Sequence, residues 1–352
     1  MSNLFIGIMS GTSRDSLDAC LVDFADHFEI VATETLDFHS SYKTSVEIPF
    51  ISSEITNKSV EIVKNLIHKS SMSESKIVGI GFSGQTISHD DHHSLQAGDP
   101  KKISKLTNID VFSDFRNKNI AEGGRGAPLI PDFHKYIFSE TGKRKLIINI
   151  GGISNGTYLD GEKIAAASDI GPGNCLLDAW HKENLGGDYD KDGIWAKSGK
   201  VNKYLLEVMM NDGYFKSNYP KSTGPDYFNL RWLRRYLEEV NQEITANDVQ
   251  ATLAELTALS LANSLNDIDH KSEYIYFCGG GIHNLDLQER IKKNVEQICV
   301  TTSDLGVDPD YLEAICFAWL AKQRIDGIKF NMKEITGSKE EVYLGKVFDP
   351  VK

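Results

Sequence analysis

The stretch Phe5-Ile-Gly-Ile-Met-Ser-Gly-Thr-Ser-Arg-Asp-Ser-Leu-Asp-Ala-Cys-Leu-Val-Asp-Phe24 decides how the chain is read. Two apolar runs, Leu4 to Met9 and Ala19 to Phe24, flank a turn of small and acidic residues. The runs predict paired strands and the turn a tight hairpin. Gly7 and Gly11 let backbone approach a bound group closely. Thr12 and Ser13 set hydroxyls beside backbone N–H groups, a nest that suits phosphate oxygens. Asp15 and Asp18 add carboxylates of the kind a hard cation such as magnesium takes. Taken alone, the same stretch is equally an edge hairpin with a polar tip.

The bulk of the chain narrows the class. Its 352 residues are 40% hydrophobic, enough for a large core and, on length, two domains. A formal net charge of -12 argues against nucleic acid and anionic membranes as partners. The five cysteines, Cys20, Cys175, Cys278, Cys299 and Cys316, are scattered and odd in number, with no Cys-x-x-Cys pair. They read as reduced core residues, neither a disulfide framework nor a zinc site. Neither a signal-peptide pattern nor an apolar run of about 20 residues is visible, so the expected location is cytoplasmic.

Outward from the hairpin, Ile30 to Phe38 predicts a third strand and Thr56 to Lys69 a helix with Val60, Val63, Leu66 and Ile67 on one face. Lys76 to Gly81 and Ile109 to Phe112 are strands that deliver polar residues, Ser83-Gly-Gln-Thr86 and Asp114-Phe-Arg116, to loops. Gly123 to Pro131 is too rich in glycine and proline for a regular element and is expected to be a functional loop near the domain boundary. Lys145 to Ile150 ends in Gly151-Gly-Ile-Ser-Asn155 before a further strand. This repeats the strand, glycine turn, strand pattern of the N-terminus and suggests a duplicated fold facing one cleft. Lys163 to Ser168 leads to Asp169-Ile-Gly-Pro-Gly-Asn174 and a helix from Cys175 to Asn184, a glycine loop at a helix start that suits an anion or sugar hydroxyls. Thr245 and Asp248 form a capping box for a long helix. Tyr274 to Cys278 is a strand ending in Gly279-Gly280-Gly281, where an adenine ring would fit. Tyr311 to Ile325 is an apolar helix with Glu313 near its start. Two metal-like patterns are set aside: Asp188 to Asp192 reads as a solvated acidic turn, and His89 to His93 as a surface loop.

Together these residues resemble the anhydro-N-acetylmuramic acid kinase family of the sugar kinase, Hsp70 and actin superfamily. The resemblance covers nearly the whole length. It rests on Met9-Ser-Gly-Thr-Ser13 with Asp15 and Asp18, Gly84-Gln-Thr86, Asp114-Phe-Arg116, Gly123-Gly-Arg-Gly-Ala-Pro-Leu129 and Asn149-Ile-Gly-Gly152. It rests equally on Asp169 with Gly171-Pro-Gly-Asn174, Asp178-Ala-Trp180, Lys221-Ser-Thr-Gly224 and Cys278-Gly-Gly-Gly281. Three positions depart from the family pattern. Ser16 stands where glycine is common, Ser83 where histidine is, and Asn119 where aspartate is.

The resemblance implies a two-domain α/β actin-like ATPase (ribonuclease H-like) fold with a central interdomain cleft. The expected domains are 1–135 with about 335–352, and 136–334. It implies ATP and Mg2+, and a small-molecule sugar as substrate, with no nucleic acid or membrane partner; a homodimer is allowed. The implied reaction belongs to cell-wall (peptidoglycan) recycling. Water opens the bridge between carbons 1 and 6 of the anhydro-sugar, and the freed oxygen 6 takes the terminal phosphoryl group, giving N-acetylmuramic acid 6-phosphate and ADP.

By resemblance Asp169 is the general base, a role that needs a carboxylate. Gly11, Thr12, Ser13, Arg14, Asp15, Ser16, Leu17 and Asp18 would cradle the phosphates, with Asp15 or Asp18 near the metal. Gly151 and Gly152 would face the phosphates, and Gly279, Gly280 and Gly281 the adenosine. Gln85, Arg116, Gly171, Asn174 and Glu313 would bind the sugar, Arg116 through its lactyl carboxylate. Plainer roles stay open: a helix N-cap for Asp169, a packing role for Asp178, a loop brace for Arg116. Three other functions are weighed: an ordinary sugar kinase in which Asp169 deprotonates a hydroxyl, a nucleotide switch that binds a protein, and a sugar-responsive repressor, which needs a basic helix-turn-helix segment.

Overall fold

Strands β1 (Leu4–Ser10) and β2 (Ser16–Asp23) pair antiparallel, from Leu4↔Asp23 to Ser10↔Leu17, so the small and acidic turn closes the hairpin as expected. The computed structural model describes residues 3–11, 14–25, 28–89, 92–267 and 272–351. Thr12 and Ser13 of the phosphate turn, and the centre of the His89 to His93 pattern, lie outside the described residues.

The chain divides into two units, 1–133 with 311–352, and 134–310. In the first, β3 (Glu29–Asp37) continues the antiparallel ribbon. Strands β4 (Ile77–Phe82) and β7 (Val111–Ser113) join parallel on the other side of β1, and the terminal strand Lys346–Phe348 closes the edge. Between them β5 (Gln85–His89) and β6 (Ser94–Ala97) form a separate small hairpin. The strands are apolar because both faces of the sheet are covered. Helix Ile48–Ser70 lies on one side, buried through Ile51, Ile55, Ile62, Val63 and Leu66, and shares a core with Ile6, Ile8 and Leu21.

Helix Leu312–Ile325 belongs to this first unit, whereas the bounds expected from the resemblance put it in the second domain, 136–334. The reason is close packing against glycine. A Cβ on Gly7 of β1 would overlap the Ala314 carbonyl, and one on Gly81 of β4 would overlap the Phe317 carbonyl. The helix therefore rides on bare strand backbone, which only glycine permits.

The second unit repeats the plan. Strands β8 (Arg144–Ile150), β9 (Ile153–Asp160) and β10 (Lys163–Pro172) form an antiparallel ribbon, and β11 (Tyr274–Cys278) and β12 (Ile298–Thr301) add parallel beside β8. The spatial order β10-β9-β8-β11-β12 matches β3-β2-β1-β4-β7, so the duplication suggested by the two hairpins holds at the level of topology. Leu146, Ile148, Ile170, Ile275 and Phe277 pack with Ala258 and Leu261 of helix Ala246–Asp267.

Three local expectations change. Asp169 does not end its strand: β10 runs on to Pro172, with a register shift between Asp169 and Gly171. Asp190 is no solvated turn residue. It is buried, and its carboxylate accepts from the N–H groups of Trp195 and Ala196, which makes it a cap for the next helical turn. Asp248 accepts from the Lys200 N–H and Thr245 donates to Asn247 Oδ1, so these bonds go elsewhere than a capping box. Among the described residues, no helix is long and apolar enough to cross a membrane.

Candidate active site

In the first unit, the hairpin turn is held from below. Gln85 is fully buried; its Nε2 donates to the Gly11 carbonyl at 3.1 Å, and its Oε1 accepts from Ser10 Oγ at 2.7 Å and Tyr42 Oη at 3.3 Å. The expected sugar ligand is thus a support for the turn. Burial pushes the Tyr42 phenol up to about 12, so it stays a donor. Arg14 takes a positive φ of 58° and reaches back to the Ser45 carbonyl at 2.8 Å.

The two aspartates of the turn differ. Asp15 pairs with Lys43 at 3.2 Å. Asp18 accepts from Thr35 Oγ1 at 2.8 Å, a partner set by the β2–β3 register Asp18↔Thr35, and from Ser16 Oγ at 3.3 Å. Ser16, a departure from the family pattern, therefore serves Asp18, and Leu17 between them is core. Burial holds the Glu313 carboxyl above its usual range; Arg116 opposes this and Asp18 adds to it, which places Glu313, Arg116 and Asp18 in one electrostatic group.

Arg116 also donates to the Gly126 carbonyl at 3.2 Å and so braces the glycine-rich loop. Asn119 does the same from the other side. It is fully buried, and its Oδ1 accepts from the Gly126 N–H at 2.8 Å. Ser83 Oγ donates to the Gly84 carbonyl and accepts from the Ser10 N–H. The departures at 83 and 119 thus sit in backbone-supporting positions.

In the second unit, Asp169 is half-buried on β10 and tied to the Lys221–Gly224 loop. Its N–H donates to the Lys221 carbonyl at 3.1 Å, and its Oδ2 accepts from the Thr223 N–H at 3.0 Å and Ser222 Oγ at 3.2 Å. An N-cap role does not describe this carboxylate, whose donors lie on a loop more than fifty residues away. Thr223 Oγ1 and Tyr214 Oη are buried with no hydrogen-bond partner among the described residues. Burial raises the Tyr214 phenol, and the nearby Asp169 charge raises it further.

Tyr214 belongs to an aromatic cluster with Phe215, Tyr227, Phe228 and Trp232, centred on buried Asp212, which accepts from Tyr227, Tyr236, Trp232 and the Tyr214 N–H. Burial pushes Asp212 up, but these donors together leave it below the usual carboxylate range. Sequence reasoning missed this support. Its only signal was the density of aromatics in Tyr227 to Tyr236.

The glycine turns of this unit form one assembly. The Gly151 carbonyl accepts from Asn174 N at 2.8 Å, and the Gly152 carbonyl from Gly173 N and Cys175 N at 3.0 and 3.1 Å. A Cβ on Gly173 would overlap the Gly151 carbonyl. Asn174 donates to the Ile150 carbonyl, and a Cβ on Gly171 would press tightly on Phe215 and Ser260, at 3.1 Å from each. Gly279 has a φ of 80°, and a Cβ there would overlap Asn149 Oδ1; one on Gly281 would strike Ile150. Gly280 faces open space within 4 Å, which leaves room for a flat group against the backbone. Asp178, on the helix Cys175–Leu185, is half-buried and makes its backbone bond to Asn174.

Among the described residues, no group of three or more His, Cys, Asp or Glu side chains could enclose a metal ion. Magnesium needs no such cage: one or two carboxylates with substrate phosphates suffice. Asp18 suits this role, an oxygen acceptor with hydroxyl neighbours beside Glu313. Asp15 suits it less, since Lys43 already neutralises it.

A duplicated β-ribbon plan with an acidic glycine turn in the first half and a loop-held carboxylate in the second defines a two-domain α/β ATPase of the actin-like kind. Residues 3–350 match the model of the anhydro-N-acetylmuramic acid kinase family, and the chain belongs to it. Proteins named anhydro-N-acetylmuramic acid kinase from Shewanella loihica and Coxiella burnetii are each 41% identical, over 98% of this chain and 98% and 97% of their own lengths. One from Legionella pneumophila is 37% identical over 99% of each chain. Among solved structures, an activator of the 2-hydroxyisocaproyl-CoA dehydratase from Clostridium difficile aligns over 93% of this chain and 99% of its own, with 14% identity and a TM-score of 0.49.

Proposed function

We propose that this chain is an ATP-dependent kinase that opens the 1,6-anhydro bridge of anhydro-N-acetylmuramic acid and phosphorylates oxygen 6. The observation that carries the mechanism is the Asp169 carboxylate, held by Ser222 and Thr223 beside the Gly171–Asn174 turn, in a chain matched to the family over 3–350. Asp169 takes a proton from water. The water oxygen bonds to carbon 1 as the bond from carbon 1 to oxygen 6 breaks. Oxygen 6 then bonds to the terminal phosphorus as the bond to ADP breaks. General-base help of this kind is worth roughly 10²–10⁴-fold.

The remaining residues bind and orient. The backbone around Gly11 takes phosphate, kept in shape by Gln85. Gly279, Gly280 and Gly281 take the adenosine. Arg116 and Glu313 hold the sugar, with the guanidinium suited to its carboxylate. Asp18 would hold a magnesium ion, which when bound neutralises charge on the phosphoryl oxygens. The five free thiols fit the reducing cytoplasm, where ATP is at hand.

Product mass tests the reaction. Incubation with ATP, magnesium and the anhydro-sugar should give a product heavier than the substrate by one phosphoryl group and one water, and in oxygen-18 water the label should enter at carbon 1. A phosphorylated product that keeps its bridge would instead make this an ordinary sugar kinase. ATP turnover indifferent to the sugar would favour a nucleotide switch.

A further inference from the structure

The loop Lys221–Gly224 touches the candidate base at three points and is itself anchored at several more. Asp169 N–H donates to the Lys221 carbonyl, and the Ser168 hydroxyl both donates to that carbonyl at 3.0 Å and accepts from the Lys221 N–H at 2.9 Å. The Lys221 side chain is buried. Its Nζ donates to the Tyr214 carbonyl at 3.2 Å and lies 4.6 and 4.5 Å from the ring centres of Tyr214 and Tyr219. A cation packed between two rings fixes the loop end firmly. From that anchor Ser222 Oγ and Thr223 N–H both reach the same oxygen, Asp169 Oδ2.

We infer that Ser222 and Thr223 are positioning residues for the reaction: they fix the Asp169 carboxylate and stabilise its ionised form, with the Lys221 cage as their anchor. This rests on the reading of Asp169 as the base. Two donors on one oxygen of a carboxylate favour the charged state and lower its pKa. They also fix its rotation, which matters because a base acts only within hydrogen-bond reach of its proton. Ser222 is exposed, so nothing in the core requires its hydroxyl.

The test is the pH profile of kcat/KM for the full chain with ATP, magnesium and the anhydro-sugar. Ser222→Ala should lower kcat about tenfold and move the acidic limb up by roughly half to one pH unit, as loss of one donor to a charged group implies. Ser222→Thr, which restores a hydroxyl, should return both toward wild type. Lys221→Met should repeat the Ser222→Ala effect through its loosened loop, with ATP affinity unchanged. A Ser222→Ala profile that overlays wild type, or a kcat loss without a shifted limb, overturns the positioning role. Asp169→Asn run alongside separates the two readings. If it is inactive while Ser222→Ala matches wild type, only the positioning role fails; if it is active, the base itself is misassigned.

Discussion

Gln85 Nε2 donates to the carbonyl of Gly11 at 3.1 Å, tying the tip of the phosphate turn to a fully buried side chain that also takes hydroxyls from Ser10 and Tyr42. A polar residue in the core is thereby the floor of the site. Gln85→Leu would take from both buried hydroxyls the acceptor they share, leaving them only each other. Each such loss costs about 1–3 kcal/mol. The variant should melt several degrees lower, and its KM for ATP should rise more than its KM for sugar. Calorimetry together with both KM values checks this; an unchanged KM for ATP would separate Gln85 from the turn.

Glu313 predicts a trade between stability and activity. Its folded pKa is raised, so the neutral acid is favoured in the fold and ionisation costs stability. The penalty is absent below the unfolded value near 4.3 and grows as pH rises through the folded one. Glu313→Gln should therefore match wild type in stability near pH 4, exceed it at neutral pH, and turn over more slowly. Thermal melts across that range test it, and a variant less stable at pH 7 than wild type contradicts it.

His134 gives the opposite slope. It is fully buried beside Thr157, with Nδ1 and Oγ1 2.9 Å apart, and burial lowers its pKa to about 3. Its folded pKa is depressed, so the unfolded chain takes a proton below about pH 6.5 that the fold refuses. That stability is present above the unfolded value and lost as pH falls through the window down to about 3. The slope from this one group is about 1.4 kcal/mol per pH unit. His134→Gln should flatten the fall in stability between pH 6 and 4. An equally steep fall in the variant would assign it to carboxylates instead.

Gly7 and Gly81 carry the packing of helix Leu312–Ile325 on the first sheet. Gly7→Ala and Gly81→Ala should each cost at least about 3 kcal/mol, because main chain must move. Gly213→Ala, exposed and with open space around it, should cost little. Comparable melting temperatures for all three would remove the close-packing argument.

These cases also mark what was legible in the residues. The strands were, because β1, β4, β8 and β11 are apolar runs cut off by glycine, and the duplicated hairpin followed from them. The membership of helix Leu312–Ile325 was not, since its apolar pattern says that it is buried but not against which sheet; Gly7 and Gly81, more than two hundred residues earlier, decide that. Gln85 reads as a sugar ligand because amides usually sit at surfaces, whereas here it serves backbone inside the core, as does Asn119. The hold of Ser222 and Thr223 on Asp169 crosses more than fifty residues and has no periodicity to betray it. Asp18 and Thr35 were within reach, since an antiparallel register puts them opposite once both strands are placed.

The most direct test of the account is single-turnover kinetics of Asp169→Asn, which keeps the size of the side chain and removes its ability to accept a proton. The account predicts a rate lower by about 10²–10⁴-fold or more with ATP binding retained, while Asp178→Asn, one helix turn into Cys175–Leu185, stays near wild type. An Asp169→Asn enzyme that turns over at the wild-type rate would contradict it and pass the role of base to Glu313.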